Sequence, residues 1–134
     1  MHNSYTSTLR LFLVLALVTI QSLILQTNVD LGDKKGQILK DLSALVAASL
    51  GKPESYVAVS VTDNVSMIFG GNDEPLALGC LYSLGSINKE NNGKVQAGVT
   101  DALEQFGVSE GRIYINFFDL PRENVGFKRA TFAG

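Results

Sequence analysis

Two stretches of the sequence decide the fold: residues 50–59 (LGKPESYVAV) and residues 106–115 (FGVSEGRIYI). They begin 56 residues apart and share one layout, an apolar residue and a glycine, then a short turn and alternating apolar residues. A glycine after an apolar helical stretch is typical of the left-handed residue that closes a helix, and period-two alternation is typical of a strand. Each stretch therefore predicts a helix end followed by a strand.

The residues before each glycine repeat with the period of an amphipathic helix. Apolar side chains recur on one stripe between residues 33 and 50, and again between about residues 89 and 106. Asp33 and Asn88 are suitable helix starts. Strands are predicted on either side of the two helices, at residues 23–29, 57–62, 77–87 and 113–119. The chain is thus predicted to be a tandem β-α-β repeat.

The two units predict an α+β fold with one four-stranded mixed sheet and both helices on one face. A strand–helix–strand crossover of this length favours parallel pairing with right-handed connection. The opposite face of the sheet is then apolar and uncovered, which a monomer tolerates poorly. We therefore expect the chain to associate with further copies of itself.

Length and composition limit the classes of function. A chain of 134 residues, 46% hydrophobic and 18% charged, is expected to form one globular domain. A formal net charge of −2 gives no electrostatic reason to expect binding to nucleic acid or to an anionic membrane surface. Cys80 is the only cysteine and His2 the only histidine. An intramolecular disulfide is impossible, and a metal site is not expected.

Residues 1–22 differ from the single domain expected at residues 23–134. An uncharged apolar run at residues 11–20 (LFLVLALVTI) follows a polar start with one arginine, Arg10. This order is typical of a secretory signal peptide, although Ile20 is large where cleavage needs a small residue. A membrane anchor would need about 20 apolar residues. Three alternatives stay open: a signal peptide, a mispredicted start whose upstream residues are never made, and a membrane anchor. A leader that is used predicts secretion; otherwise the cytoplasm is expected.

Eight short segments after the leader carry a family resemblance. They are Thr27-Asn28-Val29, Gly51-Lys52-Pro53, Phe69-Gly70-Gly71, Glu74-Pro75, Ser83-Leu84-Gly85, Tyr114-Ile115-Asn116-Phe117, Asn124-Val125-Gly126 and Thr131-Phe132-Ala133. In order and spacing they resemble the macrophage migration inhibitory factor family of the tautomerase superfamily. The resemblance covers essentially the whole chain after the leader.

This resemblance implies both an assembly and an activity. It implies a symmetric homotrimer whose three sheets form a barrel, with a small pocket at each subunit interface. It implies keto–enol tautomerase (isomerase) activity of the phenylpyruvate and dopachrome type on small aromatic keto-acid-like substrates, without a cofactor or metal. It also implies cytokine-like signalling outside the cell, with a cell-surface receptor as a further partner.

The resemblance also assigns pocket residues. Lys52 matches the lysine that binds the substrate carboxylate, and Leu84 matches a residue whose backbone N–H binds substrate, with Ser83 beside it. Tyr114 and Asn116 match residues that the neighbouring subunit gives to the pocket. The apolar rim matches Tyr56, Val125, Phe127 and Phe132. Without the resemblance, Lys52 would be a solvated lysine after a helix end, Tyr114 a strand aromatic, and the rim residues ordinary packing.

One departure concerns the catalytic base. The family uses an amino-terminal proline, and the matching position here is Gln21, with twenty residues in front of it. An amide side chain cannot take up a proton near neutral pH. No catalytic residue is therefore matched, and a secreted, non-catalytic binding or signalling homotrimer is the alternative function. If the leader is cleaved near Ser22, an amine on Ser22 or Leu23 could act as a weak base.

A second departure concerns a Cys-x-x-Cys pair that some members of the family carry. The matching residues here are Leu76-Ala77-Leu78-Gly79, and Cys80 stands alone after them. We expect Cys80 to be a small buried apolar residue rather than a redox group.

Overall fold

The computed structural model describes residues 20–134. Residues 1–19, with most of the predicted leader, lie outside the described residues. The described elements are, in chain order, β1 (Gln21–Thr27), α1 (Lys35–Leu50), β2 (Val57–Thr62), β3 (Ala77–Ser83), α2 (Lys89–Glu104), β4 (Ile113–Asp119), β5 (Gly126–Phe127) and β6 (Ala130–Thr131). Single turns of 3-10 helix lie between several of them.

The four long strands form one mixed sheet in the order β2-β1-β3-β4. β1 runs parallel to β2, and β3 runs parallel to β4, because each pair is joined through a helix. The two units meet in the middle of the sheet, where β1 and β3 are antiparallel. The predicted tandem β-α-β fold with a four-stranded mixed sheet is confirmed. The short strands β5 and β6 form a separate hairpin that the sequence analysis did not predict.

Three strand boundaries differ from the predicted ones, since β1 both begins and ends two residues earlier than residues 23–29 and β3 is shorter than predicted. β1 begins at Gln21, two residues early, because Gln21 already pairs with Val57 on one side and Ser83 on the other. β3 ends at Ser83 rather than at residue 87. Gly85 and Ser86 have left-handed φ angles of 79° and 62°, which turn the chain out of the extended conformation that a strand needs. Backbone conformation and pairing set these ends, and apolar composition alone does not reveal them.

The core lies between the inner face of the sheet and the two helices. Alternate residues of β1, such as Leu23 and Leu25, are fully buried there. Leu42 and Val46 of α1 and Val95, Val99 and Leu103 of α2 complete the same cluster. Both helices therefore cover one face, as the periodicity predicts.

The outer face of the sheet, the side that carries Ile24, Leu78, Tyr114 and Phe118, keeps large apolar side chains exposed. Ile24 is 48% exposed although it lies in a central strand. No helix of residues 20–134 packs on this side; the contacts of α1 and α2 run to the buried core instead. An apolar sheet face of this kind is expected to be covered by another chain. A trimeric barrel is consistent with this arrangement.

Asp63 ties the end of β2 to the start of α1. Its carboxylate accepts a hydrogen bond from Lys35 Nζ at 2.9 Å and another from the backbone N–H of Leu31 at 3.1 Å. The hydrogen bond from Lys35, followed by that from Leu31, lowers the pKa of Asp63 below its ordinary value. The pair keeps the first helix in place after the turn at residues 32–34.

Gly98 has the least space for a side chain among the glycines of residues 20–134, because α2 packs closely against α1 there. A Cβ atom at Gly98 would overlap the side chain of Leu45, with Leu45 Cγ at 2.9 Å. We expect Gly98→Ala to lower the free energy of unfolding by about 1–2 kcal/mol, because overpacking outweighs the better helix propensity of alanine. Gly93→Ala, on the same helix with open space around it, is the matched control.

The control variant should gain about 1 kcal/mol from helix propensity alone. Urea unfolding of both variants at one protein concentration measures the difference, since stability of an oligomer depends on concentration. Equal stabilisation by the two substitutions would show that the helices have room at Gly98.

Candidate functional site

Gln21, the residue that matches the catalytic base of the family, lies at one end of the sheet. Gln21 opens β1 with its side chain on the inner face and 0% exposed. Ser83 lies beside it in β3, also fully buried, and its Oγ donates to the carbonyl oxygen of Gly85 at 2.7 Å. The backbone N–H of Leu84 donates to the carbonyl oxygen of Ile20 at 3.3 Å. The Leu84 N–H, which the resemblance assigns to substrate binding, is therefore already bound to Ile20.

Lys52 is positioned by the end of α1. Gly51 adopts the predicted left-handed conformation, with φ 64° and ψ 40°, and the N–H of Lys52 donates to the carbonyl oxygen of Ala47 at 3.0 Å. This closure turns the chain sharply, and Pro53 with extended φ and ψ leads it toward β2. The side chain of Lys52 is half-buried. A lysine at such a fixed turn can present its ammonium group to an anionic group.

The four residues assigned to the rim lie together around the β5–β6 hairpin. Phe127 stacks on Phe132 with ring centroids 5.2 Å apart, and Tyr56 meets Phe127 edge-on at 6.2 Å. The N–H of Phe132 donates to the carbonyl oxygen of Val125 at 3.1 Å, which closes the hairpin. Tyr56 follows Lys52 by one short turn, because its N–H donates to the carbonyl oxygen of Pro53 at 3.2 Å. The rim and Lys52 are thus on the same part of the protomer.

Tyr114 and Asn116 lie elsewhere. Both point to the outer face from β4, opposite Leu78 and Cys80 of β3. Leu78 is five residues from Ser83, which is about 16 Å along a strand. The two side chains line a shallow depression of about 370 Å³ on the outer face. Val57, which follows Lys52 by five residues, is level with Gln21 and Ser83, so Lys52 leads into the opposite end of the sheet from Tyr114. A single protomer therefore keeps Tyr114 away from Lys52 and places Asn116 on the outer face.

Arg112 has a structural role that the sequence patterns do not indicate. Its guanidinium group donates to four backbone carbonyl oxygens, at distances of 3.0–3.3 Å: those of Phe69, Asn72, Glu74 and Pro75. It also lies 5.1 Å from the ring centroid of Phe69, whose ring is 4.9 Å from that of Tyr114. Arg112 thereby holds the loop at residues 69–75 beside Tyr114. A single arginine in a polar turn offers no sequence signal for such a role.

The expectation that Cys80 is buried is wrong for the protomer. Strand alternation places Cys80 on the outer face, where it is half-exposed. A hydrogen bond with the Cys80 thiol raises the pKa of Tyr82, whose ring stacks on Phe118 at 5.0 Å. At Gly79 a Cβ atom would lie 3.0 Å from Leu25 Cδ1 and 3.2 Å from the carbonyl oxygen of Ile24. Gly79 is the position that matches the second cysteine of the Cys-x-x-Cys pair. A side chain at this position would be tightly enclosed by the neighbouring strand.

Two further classes of site are absent from the described part of the chain. Within residues 20–134, no three or more histidine, cysteine, aspartate or glutamate side chains group as metal ligands would. Among the helices of the same residues, none has the length and apolar character needed to cross a membrane.

Comparison with known proteins now decides the family. A family model described as macrophage migration inhibitory factor (MIF) matches residues 20–133. The chain belongs to the macrophage migration inhibitory factor family. The match starts one residue before β1 and includes every strand and helix of the described structure.

Relatives support the assignment along nearly their whole length. A macrophage migration inhibitory factor homologue from Trichuris trichiura is 40% identical over 110 residues, which cover 79% of this chain and 94% of that protein. The macrophage migration inhibitory factor of Mus musculus is 34% identical over 113 residues, covering 82% of this chain and 96% of that protein. Family membership therefore does not rest on one part of the domain.

Solved structures of the MIF family share the fold. The homologue from Prochlorococcus marinus has a TM-score of 0.78 at 34% identity, covering 83% of this chain and 98% of that one. The protein from Trichinella spiralis has a TM-score of 0.75 at 36% identity, covering 82% of this chain and 98% of that one. The sheet and helices described above are thus those of the MIF family.

Proposed function

We propose that this MIF-family protein is a homotrimer that binds small aromatic keto acids, or their enols, in pockets between subunits. The observation that carries the proposal is the separation of the assigned residues. Lys52 and the aromatic rim lie together, whereas Tyr114 and Asn116 lie on the outer face of the sheet, level with positions of β3 that are about 16 Å and about 10 Å along the strand from Ser83. A neighbouring copy supplies the second group, and the same contact covers the apolar outer face.

Each residue has a defined part in binding. The ammonium group of Lys52 pairs with the carboxylate of the acid, and the Tyr56–Phe127–Phe132 cluster packs against its ring. The amide of Asn116 from the neighbouring copy supplies hydrogen bonds to the ligand. Ser83 and Leu84 line the inner end beside Gln21. Val125 completes the apolar wall.

Gln21 provides no general base for the tautomerase reaction. Moving a proton from carbon to oxygen needs a base with a pKa near the working pH. The side chain of Gln21 is an amide, and its backbone nitrogen is a peptide nitrogen as long as Ile20 precedes it, so neither accepts a proton. The Leu84 N–H is also bound to the Ile20 carbonyl oxygen. We therefore propose a chain that binds ligand without turning it over while Ile20 is attached.

Keto–enol tautomerase activity of the phenylpyruvate or dopachrome type is the second candidate, for a chain whose residues before β1 have been removed. The favouring observation is that Ser83, with Leu84 after it, lies beside the buried start of β1. Removal of Ile20 frees the Leu84 N–H, and the new terminal amine, including one on Ser22 or Leu23, is a weak base. A leader that directs secretion would place the trimer outside the cell, as a cytokine-like protein with a receptor; otherwise it acts in the cytoplasm.

The two-subunit pocket is tested by complementation. Lys52→Gln and Asn116→Ala should each weaken binding of cinnamate, a planar acid that cannot tautomerise, by about tenfold, because each removes a polar contact to the ligand. In trimers assembled from an equal mixture, about one quarter of the sites combine an intact Lys52 with an intact Asn116 from the neighbour. That fraction should bind with the original affinity in an NMR titration.

Lys94→Gln on the exposed side of α2 is the control and should bind cinnamate as the unchanged chain does. The trimer itself is checked by sedimentation, with a mass three times the 14.4 kDa of the chain. A mixture in which no tight sites reappear would place both residues in one protomer's pocket, or in none, and would refute the proposed site.

A further inference from the structure

The tip of the β5–β6 hairpin carries two cations in an unusual backbone conformation. Gly126 pairs with Thr131 and Phe127 with Ala130, so Lys128 and Arg129 are the two turn residues. Both have left-handed φ angles, 50° and 66°. Such turns favour asparagine and glycine, because the left-handed backbone costs other residues about 1–2 kcal/mol each. Two long basic side chains stand where backbone geometry alone would select smaller residues.

These cations lie at the aromatic rim. The Nζ atom of Lys128 is 5.4 Å from the ring centroid of Phe127. Phe127 in turn contacts Phe132 and Tyr56, the two other rings of the rim. The cation–π contact holds the ammonium group of Lys128 against the rim rather than free in solvent. Positive charge is therefore placed at the mouth of the proposed pocket.

The fold does not neutralise this charge. Across residues 20–134 the ion pairs are Lys35–Asp63 and Lys94–Glu90, and neither involves the hairpin. Lys128 and Arg129 are both exposed. They remain available to an anion from solution in a chain whose formal net charge is −2. A planar guanidinium fork such as that of Arg129 matches a carboxylate with two parallel hydrogen bonds.

We infer that Lys128 and Arg129 determine specificity by binding a second anionic group, so that the pocket prefers aromatic acids charged at both ends. The inference rests on the proposed function, in which Lys52 takes the first carboxylate. The ring lies between the two against the rim, and the hairpin cations take the distal anion. The preferred ligand is an aromatic dicarboxylate rather than a monocarboxylate.

The test compares cinnamate with 4-carboxycinnamate, which differs by one distal carboxylate. In NMR titrations of the full chain, the dicarboxylate should bind about fivefold more tightly, the size expected for exposed ion pairs. The double variant Lys128→Gln/Arg129→Gln should lose this preference while keeping its affinity for cinnamate. The double variant Lys40→Gln/Lys89→Gln, which removes the same charge from exposed helix positions, should keep it. At about 0.5 M salt, where screening acts over about 4 Å, the preference should fall.

Two results would overturn the inference. Equal affinity for both acids, with Lys52→Gln weakening both, would leave the pocket in place and show that the hairpin takes no part in selection. An equal loss of preference in the helix control would show that net charge, and not the hairpin, attracts the dicarboxylate. If neither acid binds, the proposed function fails and the inference fails with it.

Discussion

A chain that begins at residue 21 and carries Gln21→Pro is expected to tautomerise phenylpyruvate with a kcat/KM at least about 100-fold above that of the chain beginning at Met1. A positioned general base contributes about 10²- to 10⁴-fold to proton transfer, and this is the group that the unchanged site lacks. The steady-state rate of enol formation, followed by absorbance, measures the gain.

The gain has two physical sources. A terminal proline supplies a secondary amine whose pKa, near 8 for a free α-amine, falls on desolvation and beside the cation Lys52. The side chain at this position is fully buried in the chain that carries Ile20, and we expect a proline ring in the same place to be partly desolvated. Starting at residue 21 also removes Ile20 and frees the Leu84 N–H for the substrate. Because the amine works unprotonated, the rate should rise with pH through its lowered pKa.

Two control chains separate these sources. Gln21→Pro in the chain that begins at Met1 places the ring at the same position, but its nitrogen is then a peptide nitrogen and Ile20 remains. That variant should stay inactive. The unsubstituted chain beginning at residue 21 shows what removal of Ile20 does without the proline. Equal rates in both proline variants would mean that the amine is not the base, and the catalytic argument would be wrong.

Arg112→Ala is expected to lower the free energy of unfolding by about 3–5 kcal/mol, a large effect for a half-buried surface residue. Four carbonyl oxygens of residues 69–75 accept from one guanidinium group. Hydrogen bonds to a charged group contribute about 1.5–3 kcal/mol each, although several from one side chain do not add fully. The loss should appear as a lower urea midpoint and as faster hydrogen exchange in this loop.

Two further variants serve as comparisons for Arg112→Ala. Arg112→Lys should recover little, because an ammonium group cannot reach four carbonyls in the planar arrangement of a guanidinium group. Arg129→Ala, an exposed arginine without these contacts, should change stability by less than about 0.5 kcal/mol. If Arg112→Ala proves as mild as Arg129→Ala, water replaces the lost donors and the loop does not depend on this residue.

Local patterns made much of the fold predictable. Helical and strand periodicities, together with glycines that adopt the left-handed conformation at φ 64° and 81°, were sufficient for both β-α-β units. The resemblance likewise pointed to Lys52 and the rim, which the structure brings into one region. The hairpin at Gly126–Phe127 and Ala130–Thr131 was missed, because each strand has two residues and its turn lacks the usual glycine or asparagine.

The sequence by itself determined the two β-α-β units, their order and the uncovered apolar face, because these follow from side-chain periodicity and backbone preference over a few neighbouring residues. Only the tertiary structure decided which distant groups meet. Two such contacts join residues tens of positions apart: those of Arg112 with the loop at residues 69–75, and the hydrogen bond between Leu84 and Ile20. The separation of Tyr114 from Lys52 likewise follows from the strand pairing. Such contacts depend on strand order and register, which no short stretch of sequence encodes.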